Sequence, residues 1–408
     1  MWFTFTKKIK MNYKKHLFLS FFILVTNLIT AQENDFKVND LIVDQLPENV
    51  SIVGLGDPTH QESTITKYRI DLIKKLIEEK QFKIIAIEGS MYGLYKGFQK
   101  FMNDKNRTHI EDAMYDQLNL PEMDELYEYV YNRNQKGDSI MIVGFDPAFY
   151  KELFVDDIKE DLKKVDALTE EEKQDFLVQL TKGSITNLKA LFRNNKKVSA
   201  KIVHYSKKIL SDFTPKTESD YFFKQTLESF VFRITDENNG KNPISLRDMG
   251  MARNIAFLKE KYNTNIILFA SSTHLLKESK GVNDEFCQNN RICGDILNDK
   301  YKDDYYYIAY SGISGQKLNP LNPFNNFKVL PELSPNSVEY EYQNTDEPIF
   351  LNKSNFKKDI TNSRFMGYQF VELNIWKVMD GLVLIDNVLP SKWKKKLDEP
   401  KNLAIAKD

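Results

Sequence analysis

Six short apolar runs divide the chain, and their spacing constrains the fold more than any other feature. Ser51 to Leu55, Lys83 to Ile87, Ser139 to Phe145, Asn265 to Phe269, Tyr305 to Tyr310 and Leu382 to Ile385 are short, and several are rich in Ile and Val. Runs of this kind read as strands buried on both faces, which fill the interior of a parallel sheet. Helical periodicity lies between them. From Thr64 to Glu79 the apolar positions Ile65, Tyr68, Leu72, Ile73, Leu76 and Ile77 fall at i, i+3, i+4 spacing, with Lys74, Lys75, Glu78 and Glu79 outside. Strand, helix and strand in succession form a βαβ unit, which makes the strands parallel and lays helices on the sheet. The expected fold class is therefore α/β, with a mostly parallel sheet flanked by helices.

Residues 151 to 238 break this alternation. Glu160 to Leu168, Glu170 to Leu180, Ile185 to Phe192 and Ser199 to Leu210 are charged and helical in pattern with no strand candidate. The stretch reads as an inserted helical subdomain, expected to wall the substrate pocket. The βα pattern resumes near Arg247, so the catalytic α/β domain is expected over 32–150 and 239–390, with a charged tail over 391–408. Four prolines, Pro320, Pro323, Pro331 and Pro335, mark an irregular loop packed over the body.

The amino terminus reads as a signal peptide. Lys7, Lys8, Lys10, Lys14 and Lys15 precede the apolar stretch Leu17 to Val25, and a polar run opens at Gln32. The apolar stretch is shorter than the roughly 20 residues of a membrane span. Cleavage after Ala31, export to the periplasm or beyond, and no lasting membrane insertion are expected. Met11 is a possible alternative start. Over the whole chain 57 Lys and Arg face 58 Asp and Glu; without residues 1–31 the balance is 52 to 58. A mildly acidic surface argues against nucleic acid as a partner. Two cysteines in 408 residues exclude a disulfide scaffold or a multi-cysteine zinc domain. Cys287 and Cys293 lie close together, and in an oxidising compartment they are expected to close a small disulfide.

In an open parallel sheet, ligands bind beyond the carboxyl ends of the strands. Asp57 and His60 follow the first run, Glu88 the second, Asp146 the third, and Ser271, Ser272, Thr273 and His274 the fourth. Parallel strands would bring these residues to one edge. A neutral imidazole oriented by a carboxylate can take a proton from water, and a second histidine or an arginine can stabilise the oxyanion that forms. The reading is His60 as general base, Glu88 as its carboxylate partner and His274 as second polariser, with Asp57, Asp146 and Ser271 as substrate contacts. His109 and His204 are read as solvated or packing side chains.

Two other chemistries test weaker. Gly54-Leu55-Gly56 lacks the third glycine of a dinucleotide loop, and no Gly-x-Ser-x-Gly nucleophile elbow occurs. Asp57, His60, Glu88 and His274 could instead hold a metal, since two imidazoles and a carboxylate form a common zinc set. The preferred reading needs no metal or cofactor.

Ile52-Val53-Gly54-Leu55-Gly56-Asp57-Pro58-Thr59-His60 resembles the Gly-Leu-Gly-Glu-x-x-His-Gly motif of the erythromycin esterase family. Ala86-Ile87-Glu88, Gly144-Phe145-Asp146, Arg247-Asp248-x-x-Met251-Ala252-x-Asn254 and Phe269 to His274 resemble its later motifs in the same order, and Met379 to Leu382 its last strand. The resemblance implies a hydrolase without a nucleophilic serine, in which His60 activates water, Glu88 supports it, and Arg247 and His274 polarise a lactone carbonyl. Asp57 stands for the motif glutamate, Gln61 for the glycine after the histidine, and Ser271 for a histidine. The expected partner is thus a small ester or lactone, with a macrolide as the named candidate. A ligand-binding protein without turnover and a hydrolase of an envelope polysaccharide ester are the alternatives.

Overall fold

The computed structural model describes residues 36–147, 153–183, 196–238, 242–318 and 327–391. The expected signal peptide, nearly all of the charged tail, the periodic stretch Ile185 to Phe192, and Pro320 and Pro323 lie outside the described residues.

The six apolar runs become β1 (Ile52–Asp57), β2 (Phe82–Ser90), β3 (Met141–Asp146), β4 (Asn265–Ser271), β5 (Tyr305–Gly312) and, last in the chain, β11 (Gly381–Ile385). Between the last two come β6 (Gln316–Leu318) and β7 (Phe327–Val329), then β8 (Ile349–Asn352), then β9 (Ile360–Met366) and β10 (Gln369–Asn374). One seven-stranded sheet runs in the order β3-β2-β4-β1-β5-β11-β8. All its pairings are parallel except β8 against β11. The pairs β6/β7 and β9/β10 are separate antiparallel ribbons. Part of the expected irregular loop is therefore strand: residues 327–329 pair with the exposed edge that 316–318 offers.

Helices cover both faces. Val53, Leu55, Ile85, Ile87, Ile267 and Phe269 pack with α1 (Lys37–Gln45), α2 (Ser63–Lys80), α3 (Met91–Asp104), α4 (Thr108–Ala113) and α5 (Met123–Gln135). Ile84, Ala86, Val143, Ile266 and Leu268 alternate to the opposite face. Four helices of the insertion lie on that side: α6 (Leu153–Leu162), α7 (Glu170–Gly183), α8 (Lys196–Leu210) and α9 (Glu218–Asn238). With them are α10 (Pro243–Tyr262), the single turn α11 (Ser272–Leu275), α12 (Glu285–Asn289) and α13 (Cys293–Tyr301). Ile158, Leu162, Phe176, Ile202, Phe222 and Leu227 join the same buried cluster as this sheet face. Phe222 stacks on Tyr95 of α3 with ring centroids 3.7 Å apart.

Cys287 and Cys293 are free thiols, so the expected disulfide is not formed. Both are fully buried among Val282, Ile292 and Leu297, where cysteine behaves as a small apolar side chain. Burial pushes the Cys287 thiol up to about 12 and that of Cys293 well above its ordinary value.

Candidate active site

Strands β1 to β4 end on one edge, and the sheet order explains why side chains meet there. β1 lies between β4 and β5, while β2, next in sequence, lies beyond β4. The chain crosses over β4, and side chains from the strand ends converge at the switch. His60, Glu88, Asp146 and His274 meet there, joined by Arg247 from the first turns of α10.

Glu88 is the hub. Its Oε1 accepts from Arg247 Nη2 at 2.9 Å and lies 3.3 Å from His274 Nε2. Its Oε2 accepts the Ser271 backbone N–H at 2.9 Å and lies 3.4 Å from His60 Nε2. A register shift between Ile87 and Ser90 re-aims this part of β2 against β3. The shift carries the carbonyls of Gly89 and Ser90 over Gly144, where a Cβ would sit 2.3 Å from both oxygens. Only glycine fits at 144.

His60 stands at φ 65°, a left-handed conformation that costs a non-glycine residue energy. Its backbone N–H donates to Asp57 Oδ1 at 3.1 Å, and its Nδ1 lies 2.8 Å from the same oxygen, off the line of a hydrogen bond. The other Asp57 oxygen accepts from Arg69, whose guanidinium also donates to the carbonyls of Leu55 and Ala270 and lies over the Phe269 ring. On the far side, Asp248 Oδ1 lies 2.7 Å from His274 Nδ1 and accepts the Cys293 backbone N–H at 2.9 Å. Asp146 Oδ2 accepts from Arg247 Nε at 2.8 Å and from the Tyr115 hydroxyl at 2.5 Å. Gly250 lets α10 approach Pro147, since a Cβ there would meet that ring at 2.6 Å, and this brings Arg247 to Asp146.

The three expected substrate contacts each have partners within the protein. Asp57 and Asp146 are 1% exposed; their carboxylates face Arg69 and His60 in one case, Arg247 and Tyr115 in the other. Ser271 gives its backbone N–H to Glu88, and its hydroxyl accepts from Thr273 N to cap α11. Arg247, with 23% of its side chain exposed, and His60, with 12%, are more open than Glu88, with 6%. Arg69, Tyr115 and Asp248 complete the site and were not among the expected site residues. Arg69 had a signal, a charge on the apolar stripe of its helix, and Asp248 stood beside Arg247; Tyr115 had none. His109 is partly exposed and paired with Asp104, and His204 contacts Tyr205, both away from this edge.

The charges explain the protonation. Asp57, Glu88, Asp146 and Asp248 lie beside two guanidinium groups and the two imidazoles. Burial opposes a charge on His60, but Asp57 and then Glu88 outweigh it and push the imidazole up to about 10. Burial likewise opposes His274, but Asp248 and then Glu88 push it up to about 10. Arg247 Nη1 lies 3.1 Å from His274 Nε2. Burial opposes ionisation of Glu88, yet His274 and His60 hold it well below the usual carboxylate range. The carboxylates beside His60 thus favour its protonated form.

Among the described residues no group of His, Cys, Asp and Glu is arranged to hold a metal ion. Arg247 takes the cationic position among Glu88, Asp146 and His274.

A profile of the family described as "Erythromycin esterase" matches residues 77–387. The chain belongs to the erythromycin esterase family. The matched span holds Glu88, Asp146, Arg247 and His274, while Asp57 and His60 precede it. The protein described as "Putative hydrolase YbfO" of Bacillus subtilis (strain 168) is 23% identical over 383 residues, covering 83% of this chain and 84% of that one. The family and this relative describe a hydrolase. A Bacillus cereus protein of known crystal structure superposes with a TM-score of 0.71 at 18% identity, over 85% of this chain and 91% of that chain. A mutant of the erythromycin esterase EreC in its open conformation superposes with a TM-score of 0.62 at 17% identity, over 85% of this chain and 93% of that one. The fold is that of the erythromycin esterase family.

Proposed function

We propose that this protein is an exported esterase that opens an ester or lactone by water attack, with His60 as the base. The observation that carries the reading is Glu88, held among two imidazoles and a guanidinium at a strand edge where ligands bind. Once His60 has lost its resting proton, its Nε2 takes one from water as the water oxygen bonds to the carbonyl carbon. Arg247 and His274 donate to the oxyanion. Collapse breaks the bond to the alkoxide, which leaves with the proton returned by His60, giving a carboxylic acid and an alcohol. Asp57 and Glu88 stabilise the imidazolium between these steps, and this same stabilisation makes the neutral form scarce at rest.

The family name supports a macrolide lactone as the first substrate to try. The insertion leaves the sheet directly after Asp146 and returns at the helix that carries Arg247, which favours it as a pocket wall. Its own cavity of about 550 Å³, lined by Val165, Ile209 and Phe213, includes none of the strand-end residues. The lysines before Leu17 to Val25 support export, and no described helix is long and apolar enough to cross a membrane.

The test is mass spectrometry of erythromycin and a panel of simple esters after incubation with the protein and with His60→Ala. Addition of one water to the macrolide, lost in the variant, supports the full reading. His60-dependent cleavage of simple esters alone discards the antibiotic, and turnover indifferent to His60 discards the mechanism. Amino-terminal sequencing of the exported chain should start at Gln32.

A further inference from the structure

The loop that carries His60 contains a second buried carboxylate, which the proposed reaction does not use. Glu62 is 1% exposed and sits immediately before α2 without capping it. One of its oxygens accepts from the Thr59 hydroxyl, and the other accepts from the Gln61 backbone N–H at 3.1 Å. Thr59 and Gln61 are the two chain neighbours of His60. We propose that Glu62 is a positioning residue for His60, a clamp that holds the loop in its left-handed turn with the imidazole facing Glu88.

The physical argument starts from cost. A buried carboxylate next to Asp57 is unfavourable unless its oxygens are hydrogen-bonded. A left-handed, non-glycine residue is unfavourable unless its surroundings over-determine it. Here one cost is set against the other, because a single side chain ties both flanks of the strained residue. The rest of the loop is fixed from outside the clamp. Pro58 O accepts from Gly367 N at 3.0 Å, at the tip of the β9/β10 ribbon, and Gln61 O accepts from Ser391 N at 2.7 Å. Those bonds anchor the ends of the turn; Asp57 holds the His60 N–H at its centre, and Glu62 ties the two residues on either side.

Both donors are served by one ionised carboxylate. A glutamine in the same place has one acceptor for the Gln61 N–H and must reverse the bond to Thr59, its NH2 donating to a hydroxyl that now only accepts, and it removes the negative charge beside His60. Protonation of Glu62 has a milder form of the same effect, and burial followed by Asp57 pushes this carboxyl up to about 7. The groups that face it are Asp57 and His60 of its own loop, Tyr368 at the tip of the β9/β10 ribbon, and Lys317 of β6. The inference rests on the reading of His60 as the reacting base, but its geometry can be tested without turnover.

The experiment is NMR of the full chain carrying 13C at histidine Cε1, with Glu62→Gln, Thr59→Val and Thr59→Ser compared with the wild type across pH 5–10. Glu62→Gln and Thr59→Val should both move the His60 resonance and its titration and leave that of His274 in place. Thr59→Ser, which keeps the hydroxyl, should restore the wild-type His60 signal. In the same variants kcat on p-nitrophenyl acetate should fall by about 10- to 100-fold with KM little changed. A His60 resonance that stays put in both Glu62→Gln and Thr59→Val overturns the proposal, and if Glu62→Gln does not fold, the Thr59 pair decides it. If the wild type cleaves no ester, the esterase reading fails while the NMR result still stands on its own.

Discussion

At the scale of single residues, the site is a charge balance, and its pH behaviour follows from the sign of that balance. His60 must lose a proton before it can accept one, so kcat/KM should rise with pH through the neutral range toward about 10. Asp57→Asn removes the larger of the two charges that raise His60. It should move that limb to lower pH, as a pH–rate profile of the variant would record; an unmoved limb would assign the titration elsewhere. Asp248→Asn should act on His274 instead, weakening oxyanion stabilisation while leaving the His60 limb in place. The same chemistry predicts inert thiols: a thiol reagent should modify Cys287 and Cys293 only after denaturation, and reduction should leave the intact mass unchanged.

At the scale of elements, the shift in β2 is the device that presents Glu88, and it depends on a residue of the next strand. Gly144→Ala places a methyl against two backbone carbonyls that cannot rotate away. Overpacking of this kind costs about 1–3 kcal/mol, and here it should also displace Glu88. Urea unfolding together with the kcat of the variant checks both, and a loss of stability with kcat intact would separate the shift from catalysis. The six main strands were legible as continuous apolar runs, and α2 by its 3.6-residue period. β8 and the two short ribbons were not, since they carry at most three successive apolar residues and take their partners from tertiary contacts. The sequence motifs named His60, Glu88, Arg247 and His274. Arg69, Tyr115 and Asp248 entered through packing, as groups that satisfy buried charges.

For the molecule as a whole, the insertion and the sheet share one buried cluster, and this predicts joint unfolding. Phe222→Ala removes a ring stacked on Tyr95 and should cost about 3–5 kcal/mol. Circular dichroism and tyrosine fluorescence should then report one coincident transition at lower temperature, while two separated transitions would mark an independent subdomain. Stability should also depend on pH through the paired histidines. Their folded values lie above the unfolded value near 6.5, so their contribution is fully present below about pH 6.5 and is lost as pH rises toward about 10. Urea midpoints at pH 6 and pH 9.5 measure that loss, and His60→Gln should reduce it.

The sequence by itself determined the α/β class, the parallel direction of the main strands and the convergence of His60, Glu88, Asp146 and His274 on one edge. Those features follow from local periodicity and from the rule that parallel strands share a carboxyl end. Only the tertiary structure decided what the polar side chains do there. It set Asp57 beside Arg69 and His60 and Asp146 beside Arg247 and Tyr115, surrounded His60 with carboxylates that favour its protonated form, and kept two neighbouring cysteines apart as apolar filling. Each of these outcomes depends on burial and on charges brought within about 4 Å from distant parts of the chain, where electrostatic interactions are strong. No local pattern encodes those distances.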